Sequence, residues 1–246
     1  MSTKLVLFDI DGTLVFKQSV HVAAFLHAFH VVFGIPETKL HWTSHHGKTD
    51  LWIVDIELQK LGVSQAEINA KIPRCTEEMI KYEREHIQED TGYVLPHVPE
   101  FLAELKRQGF LLGLVTGNLE GIARIKMEHF RLGDFFRDGI GGFGNEHRDR
   151  AELIKIALQK AKSKNGFKFN DTNGVYIGDT PLDIKAARIA GIPTIAVLTG
   201  IYKRPDFKED TPDLFLDDFG QAVDFFSFFD QLQKREIVKN KTVDKS

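Results

Sequence analysis

Short apolar runs, each broken off by a polar turn, constrain this chain more than any other feature. Lys4–Asp9 (KLVLFD) stops at Asp11-Gly12-Thr13, Phe110–Thr116 (FLLGLVT) at Gly117-Asn118, Gly174–Ile177 (GVYI) at Gly178-Asp179, and Thr194–Leu198 (TIAVL) at Thr199-Gly200. Runs of this length ended by turn residues read as buried strands. Asp213–Leu216 is a weaker fifth. Helical patterns separate them: Val98–Gln108, Gly121–Phe130, Arg150–Lys164 and Leu182–Ala190. Strands alternating with helices predict an α/β fold in which a mainly parallel sheet is covered on both faces. Ligands of such sheets bind beyond the carboxyl ends of the strands. The polar residues of this sequence fall there.

From Phe16 to Val94 the alternation lapses. Apolar residues recur instead at helical spacing, as in Val22, Phe25, Leu26 and Phe29, and in Leu51, Val54, Leu58 and Leu61. The stretch reads as a helical insertion, with Trp42 and Trp52 as its packing residues. The expected division is therefore a core formed by 1–15 and 95–246 and an inserted helical domain at 16–94. Hinges are expected near Phe16–Lys17 and Val94–Pro96, Pro96 and Pro99 suiting the return linker. Ala222, Phe225, Phe226, Phe229 and Leu232 form one stripe, which predicts a last helix packed on the core, followed by a charged, frayed tail from Lys234.

Asp9 and Asp11 are one residue apart, so at a strand end they lean to the same side while Ile10 points away. Two carboxylates 4 Å apart repel by ~4 kcal/mol at an effective dielectric of 20. Asp179 and Asp183 follow another strand end, which the sheet would bring beside the first. Four converging carboxylates call for a hard divalent cation, and Mg²⁺ suits an open site shared with a phosphate and waters. Thr116-Gly117-Asn118 offers a hydroxyl and backbone N–H groups able to hold phosphate oxygens. Phosphoryl transfer also needs a protein cation. Arg150, with Arg148 as its alternative, stands at a helix entry where Asp149 reads as N-cap and Glu152 as the third residue.

FDIDGTLV (Phe8–Val15), LVTGN (Leu114–Asn118) and GDTPLDIKAARIAG (Gly178–Gly191) resemble the first, second and fourth motifs of the haloacid dehalogenase superfamily. The helical insertion resembles the α-helical cap of the branch containing phosphoglycolate phosphatase and β-phosphoglucomutase. The resemblance implies a Rossmann-like core and a Mg²⁺-dependent phosphatase acting on a small phosphorylated metabolite. Asp9 would attack phosphorus and form an aspartyl-phosphate, and Asp11 would protonate the leaving oxygen and then deprotonate the hydrolytic water. Thr116, with Gly117, Asn118 and Arg150, would hold the phosphoryl group. Asp9, the Asp11 backbone carbonyl and Asp179 would coordinate Mg²⁺, with Asp183 supporting the site. The third motif departs from its relatives, many of which carry a lysine where this chain has Glu146-His147-Arg148-Asp149-Arg150. Within Gly47-Lys48-Thr49-Asp50, Lys48 is the candidate contact to the non-reacting part of the substrate, with Thr49 or Asp50 as a helix N-cap.

The alternative activity is a phosphomutase, which keeps every core residue and differs in the cap. A 2-haloacid dehalogenase needs neither metal nor the second acid, so Asp11 and Asp179 speak against it. Adjacent His45 and His46 point apart and make a poor metal site. Cys75 is the lone cysteine, so no intramolecular disulfide can form, and nothing partners it as a nucleophile. A net charge of -3 argues against a nucleic-acid partner. No apolar run approaches the ~20 residues of a membrane span, and no basic-apolar leader precedes Lys4, so a cytoplasmic monomer or homodimer is expected.

Overall fold

The computed structural model describes residues 4–16, 19–36, 45–166 and 169–243; Lys17 and Trp42 lie outside them. Six parallel strands form one sheet: β1 (Lys4–Phe8), β4 (Phe110–Thr116), β5 (Gly141–Phe143), β6 (Gly174–Gly178), β7 (Thr194–Val197) and β8 (Leu214–Leu216). Their order is β5-β4-β1-β6-β7-β8. The central place falls to β1, whose Leu5, Val6, Leu7 and Phe8 are fully buried. A strand apolar on both faces can be covered on both, as a parallel sheet requires.

Alternation along β1 divides the core. Val6 and Phe8 join a cluster with Val98, Phe101 and Leu105 of α4 (Val98–Arg107) and with Phe225, Phe229 and Leu232 of α8 (Ala222–Val243). Leu5 and Leu7 face Leu153, Ile154 and Ala157 of α6 (Arg150–Asn165) and Ala187 of α7 (Pro181–Ala190). Phe8 meets Phe101 and Phe136 edge to face at centroid distances of 6.4 and 6.2 Å, and each such buried side chain contributes about 1.5–3 kcal/mol. The expected aromatic stripe therefore does pack on the core. Contrary to a frayed tail from Lys234, however, the helix continues to Val243.

The expected strands and helices appear within a residue or two of their anticipated ends. Two pieces of sheet had no legible pattern. The edge strand β5 reads Gly-Gly-Phe, too short and too poor in β-branched residues to signal a strand. A separate two-stranded ribbon pairs β2 (Val15–Phe16) antiparallel with β3 (Tyr93–Val94), so the chain leaves and re-enters the sheet region side by side.

Between β2 and β3 lie α1 (Val20–Phe33), α2 (Asp50–Lys60) and α3 (Gln65–His86). They enclose their own apolar cluster, which includes Phe25, Phe29, Val54, Leu58, Ile68, Cys75 and Met79 and takes in Leu119 and Ile122. Ile122 belongs to α5 (Glu120–His129). The buried stripe of α1 is rotated from the expected one: Ala24 and Ala28 face inward with Phe25 and Phe29, while Val22 and Leu26 are half-buried. Leu61 is exposed, and Trp52 is 40% exposed rather than a packing residue. Burial pushes the Cys75 thiol up to about 12, which suits a packed side chain and not a nucleophile. No helix among the described residues is long and apolar enough to cross a membrane.

Candidate active site

The sheet order places the ends of β4 and β6 on either side of the end of β1. Phe8 is in register with Leu114 and with Ile177, so Asp9, Thr116 and Asp179 meet at one edge. Asp9 donates its backbone N–H to the Ile177 carbonyl at 2.9 Å, and its side chain is buried. By strand parity it shares the face of Leu5 and Leu7, where α6 and α7 begin.

Arg150, the first residue of α6, is buried there. One terminal nitrogen donates to Asp9 Oδ1 at 2.8 Å and the other donates to Asp183 Oδ1. Asp149 caps α6 by accepting from the Ala151 N–H at 2.9 Å. Glu152 pairs with Lys155 instead of closing a capping box. Arg148 turns outward to Asp55 in α2. Of the two arginines, only Arg150 is brought to Asp9.

Asp183 sits in the first turn of α7 as the partner of the Thr180 cap. Its Oδ2 accepts the Thr180 N–H at 2.9 Å and hydroxyl at 2.7 Å, and its Oδ1 accepts the Tyr176 hydroxyl at 2.7 Å as well as Arg150. Asp179 is differently placed: among the described residues its only hydrogen bond comes from the Thr13 hydroxyl, at 3.3 Å. Oxygens of Asp9, Asp179 and Asp183 all lie within 4.8 Å of one another. Burial, together with the Asp183 and Asp9 carboxylates, pushes Asp179 well above the usual carboxylate range. Burial likewise pushes Asp9 up to about 7, against the pull of Arg150. A buried carboxylate cluster with one arginine lacks positive charge, which is the condition a divalent cation relieves. Gly12 fits the same cradle: at φ +86° it turns the chain after Asp11, and a Cβ there would lie 2.3 Å from Asp179 Oδ2.

Asp11 stands just before the turn and faces the helical segment, meeting Lys126 and lying near His21. Burial alone would raise its carboxyl, but Lys126, with His21 and Asn118, holds it below the usual range. Lys126 Nζ contacts both Asp11 oxygens, at 2.8 and 3.0 Å. Asn118 Nδ2 donates to Asp11 at 2.6 Å and to Thr116 Oγ1 at 2.7 Å. Thr116 Oγ1 also accepts the Asn118 backbone N–H at 3.3 Å. An oxygen that accepts twice has its own proton to give, so Thr116 is set as a donor.

The loop before α2 closes over this edge. Thr49 is its N-cap, accepting from Trp52 N. The Gly117 carbonyl accepts the Asp50 N–H at 2.8 Å. A Cβ on Gly117 would stand 2.2 Å from the Lys48 carbonyl oxygen, so the loop can approach this closely only over a glycine. Lys48 has its ammonium 5.6 Å from the Trp52 ring centre and, with His46, lines a cavity of about 60 Å³ bounded also by Asp9, Asp11, Thr116, Asn118 and Arg150. His45 lies 2.9 Å from Glu57.

A model of haloacid dehalogenase-like hydrolases matches residues 6–197, spanning all three strand ends. The chain belongs to the haloacid dehalogenase-like hydrolase family. It is 25% identical to the pyrophosphatase PpaX of Bacillus cereus, over 92% of this chain and 98% of that one. It is 24% identical to a phosphoglycolate phosphatase of Pseudomonas putida, over 87% and 76% respectively. Among solved structures, a candidate β-phosphoglucomutase from Bacteroides vulgatus shares the fold with a TM-score of 0.63 at 23% identity, covering 95% of this chain and 91% of that one.

Several residues of this family member's site had no place in the expectation from sequence: Lys126, Tyr176, His21, Thr13 and Thr180; Asp50, expected as an alternative N-cap to Thr49, is instead the first residue of α2 and turns its carboxylate to His21 and the Leu119 N–H. One carried a signal. Lys126 follows Ile122 by four and Ala123 by three, so it occupies the apolar stripe of α5, where a lysine needs a buried partner.

Proposed function

We propose that this enzyme is a Mg²⁺-dependent phosphatase that hydrolyses a small phosphomonoester through an aspartyl-phosphate on Asp9. The observation that carries the proposal is a buried Asp9 held by Arg150 beside an under-neutralised Asp179 and a donor-ready Thr116. Mg²⁺, held by Asp9 and Asp179 with the Asp11 backbone carbonyl, would supply charge neutralisation for the phosphoryl oxygens. Asp183, whose oxygens are committed to Arg150, Tyr176 and Thr180, supports that site by fixing the guanidinium.

In the first half of the reaction an Asp9 oxygen attacks phosphorus, the bond to the ester oxygen breaks, and that oxygen takes a proton from Asp11. In the second, water attacks the aspartyl-phosphate, its proton passes to Asp11, and inorganic phosphate leaves with Asp9 restored. Arg150 spends two of its five N–H donors on Asp183 and Asp9, leaving others for phosphoryl oxygens. The Thr116 hydroxyl, oriented by the Asn118 N–H groups, completes the cradle, and Gly117 admits the loop that covers it. Lys48 contacts the non-reacting part of the substrate. Relatives named for pyrophosphate and phosphoglycolate release a phosphate or a small acid, and the Lys48 ammonium on the cavity wall suits such a leaving group. The cavity is small, so the helical segment acts as a cap that opens for entry and closes to exclude water.

The test is phosphate release by the purified chain with Mg²⁺ from a panel of phosphomonoesters and pyrophosphate. Release from none of them would overturn the reading. Conversion of glucose 1-phosphate to the 6-phosphate without release would replace it by a mutase.

The metal assignment has a readout of its own. Without metal, folded Asp9 and Asp179 keep protons at pH values where the unfolded chain has lost them. The unfolded state then binds fewer protons, so stability falls as pH rises from the ordinary carboxylate range toward 7. A cation that binds the ionised carboxylates opposes this loss. Thermal melts with and without millimolar Mg²⁺ are expected to show a larger Mg²⁺ stabilisation at pH 8 than at pH 5.5, and Asp179→Asn should erase the difference. Equal shifts at both pH values would contradict the assignment.

A further inference from the structure

Lys126 is the most completely enclosed lysine or arginine among the described residues, with no exposed surface at all. It reaches from the middle of α5 under the core edge of the candidate site, and its surroundings come from two parts of the molecule. From the core side it meets Asp11 Oδ1 at 2.8 Å, Asp11 Oδ2 at 3.0 Å and Asn118 Oδ1 at 2.8 Å. From the helical segment it meets His21 Nδ1 at 3.1 Å. An ammonium has three protons, and here there are three partners for them: the Asp11 carboxylate, the Asn118 carbonyl oxygen and the His21 ring.

That count fixes the orientation of the neighbours. If Nδ1 of His21 accepts from Lys126, its ring proton sits on Nε2, which faces Asp50 Oδ2 at 3.3 Å. The same Asp50 oxygen accepts the Leu119 N–H at 2.8 Å, which returns the chain of contacts to the core. The Asn118 side chain, with its oxygen on Lys126, must turn its nitrogen to Asp11 and Thr116, as observed. Glu83 of α3, fully buried and hydrogen-bonded to no described residue, also acts electrostatically on His21 and Lys126. One lysine thus orients the carboxylate of Asp11 and, through Asn118, the hydroxyl of Thr116, while its third proton goes to a helix of the covering segment.

We infer that Lys126 is a positioning residue for the second half of the reaction, holding the Asp11 carboxylate where it takes the proton of the water that attacks the aspartyl-phosphate. His21 makes that hold depend on the helical segment being seated. The inference rests on the reading of Asp9 as nucleophile and Asp11 as acid and base. In the step concerned, the water oxygen bonds to phosphorus, its proton moves to Asp11, and the bond from phosphorus to Asp9 breaks with the electron pair returning to Asp9. Without Lys126 the Asp11 carboxylate keeps only the Asn118 contact and is free to swing, so this step slows. Formation of the aspartyl-phosphate from a substrate with a good leaving group depends far less on Asp11, because such a group leaves without a proton.

The experiment is a rapid-mixing assay of the full chain with Mg²⁺ and p-nitrophenyl phosphate, comparing Lys126→Met with the unaltered protein. The variant is expected to release close to one equivalent of p-nitrophenol per enzyme in a burst. Its steady state should then be about 100-fold slower, within the usual range for a misplaced acid–base group, with a cold-acid quench showing phosphate bound to protein. A general loss of structure would lower burst and steady state together. The inference is overturned if the variant's steady-state rate stays within about threefold of the unaltered chain, or if both phases fall in parallel with no phosphoenzyme. Should Lys126→Met fail to fold, His21→Phe, which keeps the ring packing against Phe25, serves in its place. A burst followed by a steady state about fivefold slower is then expected, and an unchanged rate overturns the inference. If instead the unaltered chain gives no turnover, or Asp9→Asn retains it, the functional reading itself fails, an outcome distinct from these.

Discussion

Asp9→Asn is expected to eliminate phosphatase turnover while leaving a protein that melts at a higher temperature than the unaltered chain when no metal is present. The activity loss should be about 10⁴-fold or more, because an amide nitrogen and oxygen cannot replace the attacking carboxylate. The stability gain follows from the environment of Asp9. Burial and the Asp183 and Asp11 carboxylates raise its carboxyl to about 7, so at pH 8 the folded protein carries there a charge it disfavours. Asparagine keeps an oxygen to accept from Arg150 and removes that charge. A gain of about 1–2 kcal/mol would raise Tm by roughly 2–8 °C for a chain of this size. Phosphate-release assays and thermal melts at pH 8 in a chelator measure the two halves. Retained activity would remove Asp9 from the nucleophile role. A fall in both activity and Tm would show that the carboxylate is structural, and the usual exchange of stability for function at an active site would not apply.

Arg150→Met is expected to damage both properties. The guanidinium lies buried between Asp9 and Asp183 and is, among the described residues, the one arginine brought to the carboxylate cluster. Removing one member of a buried ionic group while leaving the others uncompensated typically costs about 3–5 kcal/mol, or roughly 6–20 °C in Tm here. Turnover should fall by about 10³-fold or more, since a cation on the transferring phosphoryl group is commonly worth that much. Arg150→Lys separates the effects. A lysine restores the charge and most of the stability, but a single ammonium cannot bridge Asp9 and Asp183 in the forked geometry of arginine, so activity should recover only in part. Melting curves and phosphate release on the three proteins decide it. A Met variant as stable as the unaltered chain would mean that the cluster is largely protonated and that Arg150 is not its counter-charge.

Much of this site can be read along the chain because its signals are local. A strand ends where the apolar alternation meets Gly or Asp, and the residue after that end lies at the sheet's edge whatever the rest of the fold does. Asp9, Thr116 and Asp179 are legible for that reason. The helix entry at Asp149 is equally local, since Asp149 needs only the Ala151 N–H two residues on to act as a cap.

Choosing between Arg148 and Arg150 is a different kind of question. Both stand within two residues of the same helix start, and their spacing carries no preference. Arg150 is the first helical residue and turns into the sheet edge, whereas Arg148 precedes the cap and meets Asp55, 93 positions away in sequence. Lys126 depends on distance even more strongly: its partners Asp11 and His21 are separated from it by 115 and 105 positions. Tyr176 reads simply as a strand residue until α7 delivers Asp183 to its hydroxyl. The sequence alone determined which residues stand at strand ends and helix starts, because covalent geometry and hydrophobic period act over a few residues. Only the tertiary structure decided which charge neutralises which, because that depends on the order of strands in the sheet and on where the helical segment is seated, and neither is encoded in local spacing.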